Sequence, residues 1–406
     1  MLCLVGVVFT KIESQGELEM KPIVRGASAA ATCLIVGLLT TCSQHLGPTT
    51  AETADSWDKK AAANYLDQRE SWWVKWPRAS RDHGTYCVSC HTVMPYALSR
   101  PMLRTALGEA GPSLYERRLL EDVTKRVRLW DEVGPYYGQM ATQARGTEAV
   151  LNALVLASYD AQNGPLSDDG KTAFKNMWAT QKTTGDDRGV WPWIQFDNEP
   201  WEAPDSAYFG TSLAAVAVGT APVNYRSEPD IQNNIKLMSE YLVREAPKQT
   251  LMNRTILLWA SAKLPGLLDS AQQKAIIDDV LSKQQADGGW CVSSLMERWK
   301  RADGTPEVKD SDGYATGLIV LALEQTGVSR EDVHLKQGLS WLVRNQSRWD
   351  GHWTAYSVNK RHYNPFYGGA RFMDDAATAY AVLALTETKH APATESAVAT
   401  ESAQVR

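Results

Sequence analysis

The sequence predicts an all-α protein built from six helical hairpins. Six times along the chain a threonine stands at the head of an apolar helix rich in small residues. Before each one comes a more polar stretch, in which leucine, isoleucine and valine recur at helical spacing. The six threonines are Thr92, Thr147, Thr211, Thr255, Thr316 and Thr378. Hydrophobic residues make up 44% of the 406 residues, which is enough for a large core.

The polar stretches are expected to form the outer helix of each hairpin. They cover about 58–72, 113–131, 167–182, 228–245, 270–285 and 332–346. One face of each is apolar and charges fill the other, which is typical of a half-exposed helix. The threonine-headed helices are apolar almost all round, which indicates burial on both sides. A single hairpin cannot bury such a helix alone, so the hairpins must pack side by side.

Hairpins packed side by side form either a closed ring or an open stack. An open stack needs polar capping repeats at its ends, and neither end of the repeated region has one. We therefore predict a closed ring of twelve principal helices, an α/α toroid without a sheet, over residues 58–388.

The segments outside the ring are interpreted as a leader, a linker and a tail. Residues 1–42 contain a short basic start at Met20, a candidate for the true start, followed by an uncharged apolar run typical of a secretory leader. This run ends at Cys42 in a sequence similar to a bacterial lipobox, so simple cleavage and lipidation stay open as alternatives. Residues 43–57 are interpreted as a linker and 389–406 as a disordered tail. We expect an exported protein, either periplasmic or anchored by lipid to the outer face of a bacterial membrane.

A second repeated pattern, a glutamine followed by Gly-x-Trp, ends three of the polar stretches. The copies are Gln181 with Gly189 and Trp191, Gln285 with Gly288 and Trp290, and Gln346 with Gly351 and Trp353. The pattern resembles the QW motif of squalene–hopene cyclases and related terpenoid cyclases, whose toroid fold protein prenyltransferases share. The resemblance implies that these side chains are structural and bind helix ends, not substrate.

Squalene–hopene cyclases protonate an alkene with an aspartate of an Asp-x-Asp-Asp-Thr-Ala motif at the head of an inner helix. The resemblance places Asp374 on the first aspartate, with Asp375 beside it, and Asp312 at the same place in the fifth repeat. An acid role and a helix N-cap stay open as alternatives for these residues. Because Ala376 and Ala377 replace the other acids of the motif, we predict no proton-initiated cyclisation of squalene.

Residues 87–91, Cys-Val-Ser-Cys-His, form the attachment motif of c-type haem, in which two thiols add to the haem vinyls and the histidine binds iron. Cys87 aligns with Cys291 of the fifth repeat, whereas Cys90 and His91 have no counterpart there. We predict covalent haem c on Cys87, Cys90 and His91. A Cys87–Cys90 disulfide and a bound metal are the alternatives.

Two methionines are candidates for the second axial ligand of the iron. Met140 and Met373 precede the inner helices of the neighbouring repeats two and six, and His83 is a third candidate. Protein prenyltransferases hold zinc with Asp, Cys and His. Cys291 matches that set only in part and at another spacing, so we predict no zinc there.

All inner-helix heads lie at one end of a ring, so the chemistry-bearing residues are expected to gather around one opening, together with Glu148, Asp205 and Arg254. We predict a terpenoid-cyclase-like toroid that carries haem c for redox chemistry or electron transfer with a redox partner. One alternative is an isoprenoid-processing enzyme with Asp374 or Asp312 as the acid. The other is a non-catalytic toroid that binds a protein partner or a ligand, such as an apolar small molecule in its lumen. The net charge of −5 leaves no basic excess for nucleic acid.

Overall fold

The computed structural model describes residues 56–360 and 368–387. The predicted leader, the lipobox at Cys42, nearly all of the linker and the tail lie outside these residues. Within them helices dominate, and the prediction of an all-α protein is confirmed. No helix in these two ranges is both long enough and apolar enough to span a membrane.

Twelve of the helices correspond to the predicted ones. The outer helices are α1 (Lys59–Lys75), α3 (Leu114–Arg128), α5 (Asp168–Thr180), α8 (Gln232–Glu245), α10 (Ser270–Leu281) and α13 (Val333–Arg344). The inner helices are α2 (Val93–Leu107), α4 (Ala141–Asn163), α6 (Ser206–Thr220), α9 (Leu251–Lys263), α12 (Gly313–Gln325) and α14 (Phe372–Thr386). Two short helices that the sequence did not predict are α7 (Val223–Arg226) and α11 (Val292–Leu295).

A small hairpin corrects the expectation of a protein without a sheet. Strand β1 (Ser80–Arg81) pairs antiparallel with β2 (Thr85–Tyr86). The chain turns between them at His83 and Gly84, which have φ angles of 54° and 66°. Glycine adopts this left-handed conformation without steric cost, so the sequence permits a turn tight enough for two paired residues on each side. The hairpin leads directly into the Cys-Val-Ser-Cys-His segment.

The inner helices contact one another in chain order, and the last contacts the first. The contacting pairs are α2 with α4, α4 with α6, α6 with α9, α9 with α12, α12 with α14, and α14 with α2. Each outer helix packs against the inner helix that precedes it, and α1 packs in the same way against α14. The core lies among the inner helices, where side chains such as Leu213, Leu257 and Leu318 are fully buried.

The tryptophans of the repeated pattern bind helix ends. Each indole Nε1 donates a hydrogen bond of 2.7 Å to a carbonyl in the last turn of its outer helix; the pairs are Trp191 to Met177, Trp290 to Val280 and Trp353 to Leu342. Their backbone N–H groups donate to the threonines of the inner helices that follow, Thr211, Thr316 and Thr378. These bonds satisfy groups that a helix end and a loop would leave unpaired, and they explain three of the six repeated threonines.

The glutamines join consecutive outer helices. The amide of Gln181 donates to Asn234 O at 3.1 Å, at the start of α8, and Gln346 donates to Asp58 O at 2.9 Å, just before α1. In the second copy the structure corrects the prediction, because Gln284 and not Gln285 binds the next helix, through His334 O at 2.8 Å.

The loop after α10 explains why Gln284, and not Gln285, binds the next outer helix. The backbone N–H of Gln285 pairs with Gly289 O, and its side chain turns away to donate to Lys309 O at 2.8 Å. Gln284 therefore occupies the position from which an amide reaches both the loop and the next outer helix.

The glycines of the pattern allow the loop to touch the backbone of the next outer helix. Gly189, Gly288 and Gly351 have φ angles of 99°, 92° and 79°. A Cβ on Gly351 would lie 2.3 Å from the carbonyl carbon of Ala61 in α1, and one on Gly189 would lie 2.1 Å from Leu237 O in α8. The loop after α13 thus meets α1 in the same way as the loop after α5 meets α8.

Candidate functional site

The imidazole of His91 is held in one tautomer by a chain of hydrogen bonds. Thr92 Oγ1 donates its only proton to Asp375 Oδ2 at 2.6 Å. His91 Nδ1 lies 2.8 Å from Thr92 Oγ1. Because the hydroxyl proton of Thr92 is already used, Nδ1 must be the donor in that contact. Nε2 consequently keeps its lone pair, and none of the described residues makes a hydrogen bond to it. This is the form in which a histidine binds a metal ion through Nε2.

Asp375, one of the predicted catalytic residues, anchors this chain. Arg69 donates to its two oxygens at 2.5 and 2.9 Å, and the hydroxyl of Tyr65 donates at 2.9 Å. The carboxylate is almost fully buried, and these donors together with Thr92 compensate its charge. The network joins α1, the start of α2 and α14 below the imidazole.

Aromatic rings surround His91. The ring of Phe372 stacks on it with centroids 3.7 Å apart, Trp73 meets it edge-on at 5.1 Å, and Trp201 lies at 5.5 Å. Burial, with a smaller effect of the Arg69 charge, lowers the pKa of His91 to about 3. The imidazole is therefore neutral in the folded protein, as a ligand must be.

Cys87 and Cys90 are buried and present as free thiols, not as a disulfide. Burial raises the pKa of Cys87 to about 12 and that of Cys90 well above its usual value, and the charge of Glu202 acts in the same direction on both. Both thiols are consequently protonated at neutral pH. Trp73 Nε1 donates to Cys87 O at 2.8 Å, which ties the motif to the last turn of α1.

The candidate axial ligands lie in different surroundings. Met373 is buried in the first turn of α14, directly after Phe372. Met140 is half-buried and directly precedes α4. His83 lies on the exposed turn of the hairpin, 3.6 Å from Asp82. In the two described ranges, no three His, Cys, Asp or Glu side chains come close enough together to bind one metal ion.

The other two predicted acids bind backbone groups. Asp312 is the N-cap of α12 and accepts from Ala315 N at 2.9 Å and from Val292 N at 2.6 Å. Asp374 is not a cap, since α14 begins at Phe372; it lies in the first turn and accepts from Ala355 N at 3.0 Å. Burial raises the pKa of Asp312 to about 7 and that of Asp374 to about 6.

Three residues expected at the opening have partners of their own. Glu148 pairs with Arg126 at 2.5 Å, and both side chains are fully buried. Arg254 pairs with Asp279 at 2.5 Å, between α9 and α10. The third, Asp205, accepts from the amide of Asn253 at 3.1 Å. Each of the three therefore makes its own contact, and none of these contacts involves His91.

The segment between α5 and α6, which was not predicted from the sequence as part of the site, covers the heads of inner helices near His91. Trp201 lies against His91 and donates from Nε1 to Tyr314 Oη at 3.2 Å. Beside it, burial alone raises the pKa of Glu202 to about 7. Nothing in the local sequence distinguishes Trp201 from the many structural tryptophans of this chain.

Aromatic side chains continue from this end into the space between the inner helices. Trp201 contacts Tyr314 with centroids 5.6 Å apart, Tyr314 contacts Tyr380 at 5.5 Å, and Tyr380 contacts Trp259 at 6.3 Å. The middle of the inner-helix bundle is therefore filled by side chains along this line.

A cavity of about 590 Å³ lies beyond Trp259, at the carboxyl-terminal ends of the inner helices. All six of these helices contribute to its lining. The residues that end the inner helices form no recognisable motif, so the sequence gives no sign of this cavity.

No protein-family model matches this chain, and a comparison with curated proteins gives no significant match. The functional conclusion therefore depends on the chemistry of the site itself.

Proposed function

We propose that this chain is an exported, closed α/α toroid that carries a covalent c-type haem on Cys87, Cys90 and His91 and transfers electrons. The observation that carries the proposal is the chain of hydrogen bonds from Asp375 through Thr92 to His91, which leaves Nε2 neutral and free to bind iron.

Three contacts support the closed ring. Helix α14 packs on α2 as each inner helix packs on the next. The amide of Gln346 binds Asp58, and Gly351 meets Ala61, as the same residue types do between α5 and α8. The first and last outer helices are thus neighbours of the same kind as consecutive ones, which an open stack does not provide.

The donor set fits haem c. Two unpaired thiols precede a neutral imidazole whose Nδ1 is held by a second residue, and such a partner is the usual support of a metal-binding histidine. Bound haem would supply one-electron redox chemistry. The surrounding rings give the apolar environment in which a haem is held, but Phe372, Trp73 and Trp201 pack closely on His91, so attachment requires at least one of them to move.

The residues themselves would divide the work. Cys87 and Cys90 would bond the porphyrin, and His91 Nε2 would bind the iron. Thr92 and Asp375 would orient the imidazole, with Arg69 holding Asp375 in place through two hydrogen bonds. Met140, Met373 and His83 remain the proposed candidates for a further ligand of the iron.

The test is expression of the full chain in a host that attaches haem c. We expect a mass increase of one haem that survives denaturation and a Soret band that disappears in a Cys87→Ala/Cys90→Ala variant. Cys291→Ala is the matched control, because this buried thiol occupies the same place in the fifth repeat; it should retain the haem. Thr92→Val should keep the covalent mass but shift the reduction potential, since the imidazole loses its partner.

Protein that stays colourless in such a host would refute the proposal. Haem that remains bound in the double cysteine variant after denaturation would refute the assignment of the attachment site.

A further inference from the structure

We propose that the loop after α13 and the first turn of α1 form a surface that docks on an anionic lipid bilayer. This docking surface consists of Trp349 and Arg348 in the loop and of Lys59 and Lys60 in the helix. It shares no residue with the site around His91, and the proposal depends neither on haem attachment nor on a lipid at Cys42.

Trp349 is the most exposed large apolar side chain of the described residues, with 98% of its surface accessible. The loop that carries it is fixed to the start of α1. The Gln346 side chain bonds to both the N–H and the carbonyl of Asp58, at 2.7 and 2.9 Å, and Gly351 lies against Ala61. The indole therefore stands in solvent on a loop that is held to the helix.

The repeated Gln, Gly and Trp pattern does not require an aromatic residue at this position. Two residues before the glycine of the pattern stand Asp187 in the first copy, Ala286 in the second and Trp349 in the third. In all three copies the glycine lies against the backbone of the next outer helix, so the packing of the loop does not explain the indole. An apolar side chain left in water is unfavourable, which points to a partner that covers it.

Positive charges lie on both sides of the contact between the loop and α1. Arg348 directly precedes Trp349, and Lys59 and Lys60 belong to the helical turn that the loop touches. All three basic side chains are exposed. The first turn of α1 contains no acidic residue.

The nearby acids do not cancel these charges. Asp350 pairs with Arg371 at 3.0 Å, and Asp58, the N-cap of α1, accepts from Ala61 N at 2.9 Å. The carboxylate of Asp58 thus stands against three cations, so the docking surface has a positive surplus in a chain whose net charge is −5. A negatively charged bilayer would attract this surface over about a Debye length, roughly 8 Å at physiological salt.

A bilayer is the partner that fits both features. Tryptophan is enriched at membrane–water interfaces, and basic side chains bind anionic headgroups. A soluble anion would use the cations but leave the indole in water. Residues 43–57 connect Cys42, the end of the lipobox-like sequence, to Asp58, and they can span at most about 50 Å. The docking surface therefore lies beside the point where the predicted leader joins the helices.

The test uses the full chain with one fluorophore whose emission depends on its surroundings. Trp349→Cys is labelled with nitrobenzoxadiazole and mixed with phosphatidylglycerol or phosphatidylcholine vesicles that contain a spin-labelled lipid as quencher. Asp187→Cys, at the same place in the exposed loop after α5, is the matched control. Both are made in a background with Cys3→Ser, Cys33→Ser and Cys42→Ser, so that no leader thiol takes the label; the remaining thiols are buried.

We expect the label at position 349 to shift to the blue and to be quenched by phosphatidylglycerol vesicles, and the label at position 187 to stay unchanged. Quenching should be at least about fivefold weaker with phosphatidylcholine, and Lys59→Gln/Lys60→Gln should weaken it to a similar extent with phosphatidylglycerol. Lys171→Gln/Lys175→Gln, which removes two exposed lysines of α5, should not weaken it. The signal is local, so attachment of the leader to the vesicle does not produce it.

A second measurement tests the indole itself. In cosedimentation of the unlabelled chain with phosphatidylglycerol vesicles, Trp349→Ser should lower the bound fraction. Leu114→Ser, which removes an exposed apolar side chain at the start of α3, should not.

The proposal is overturned if phosphatidylglycerol vesicles leave the label at position 349 unquenched, which would indicate a soluble partner for Trp349. It is also overturned if the label at position 187 is quenched equally, if phosphatidylcholine vesicles or the Lys59→Gln/Lys60→Gln variant give undiminished quenching, or if Trp349→Ser sediments as the wild type does.

Discussion

Replacing Gln284 by alanine should destabilise the protein much more than replacing its neighbour Gln285. The Gln284 amide makes three contacts: it donates to Gly288 O at 2.9 Å and to His334 O at 2.8 Å, and its oxygen lies 2.5 Å from His334 Nδ1. Gln285 makes one side-chain bond, to Lys309 O, in an exposed position. The two substitutions remove the same atoms from adjacent residues, so they form a matched pair.

The expected difference follows from the number of bonds. A hydrogen bond contributes about 0.5–1.5 kcal/mol net, and the loss is greater where a buried partner remains unpaired. The Gln284→Ala variant should therefore lose about 2–3 kcal/mol of unfolding free energy, and Gln285→Ala less than about 1 kcal/mol. Part of the first loss arises because α10 and α13 are no longer joined at this point.

The measurement is urea unfolding followed by far-ultraviolet circular dichroism, with the midpoints of both variants compared at a shared slope. If the two variants unfold at the same midpoint, or if Gln285→Ala is the less stable one, the assignment of the pattern to Gln284 is wrong. A change of slope would instead indicate an altered unfolded state or a populated intermediate, and the comparison would then be repeated by calorimetry.

Two further predictions concern the contact between the α13 loop and α1 and the carboxyl group of Glu202. In urea unfolding, Gly351→Ala should lower the free energy of unfolding by about 1–3 kcal/mol more than Gly327→Ala does. Both glycines have φ near 80°, but only Gly351 lies against Ala61, so equal losses would contradict a tight contact between the α13 loop and α1. Burial raises the pKa of Glu202 to about 7 in the folded protein, above its unfolded value. Its contribution to the stability of the folded state is therefore fully present below about pH 4.3 and is lost as the pH rises through 7. The stability of Glu202→Gln relative to wild type should therefore rise by up to about 3 kcal/mol between pH 5 and pH 8, and a constant difference would show that this carboxyl is solvated.

The sequence predicts those features that short-range patterns encode. The twelve principal helices follow from apolar periodicity, because a helix buries one stripe whatever its partners are. The repeated Gln, Gly and Trp positions also lie within one loop, and only the choice between two adjacent glutamines failed. That choice depends on which backbone N–H the loop already uses, and Gln285 N pairs with Gly289 O.

The site is predictable only in part, because its contacts connect distant segments. The Cys-Val-Ser-Cys-His motif is visible in sequence, but Thr92 and Asp375 are 283 residues apart and nothing local relates them. The cover by Trp201 and the cavity at the carboxyl-terminal ends of the inner helices likewise depend on how loops and helix ends meet in space.

The contact between Gln346 and Asp58 spans 288 residues, which has a consequence during synthesis of the chain. At about 5–20 residues per second, a ribosome needs roughly 15–60 s to add those residues. For that time α1 has left the ribosome without the loop that will pack on it, and the side of α2 that later meets α14 is uncovered. The earliest repeat thus keeps apolar surface uncovered for longer than any later one, and such surface promotes aggregation of a nascent chain.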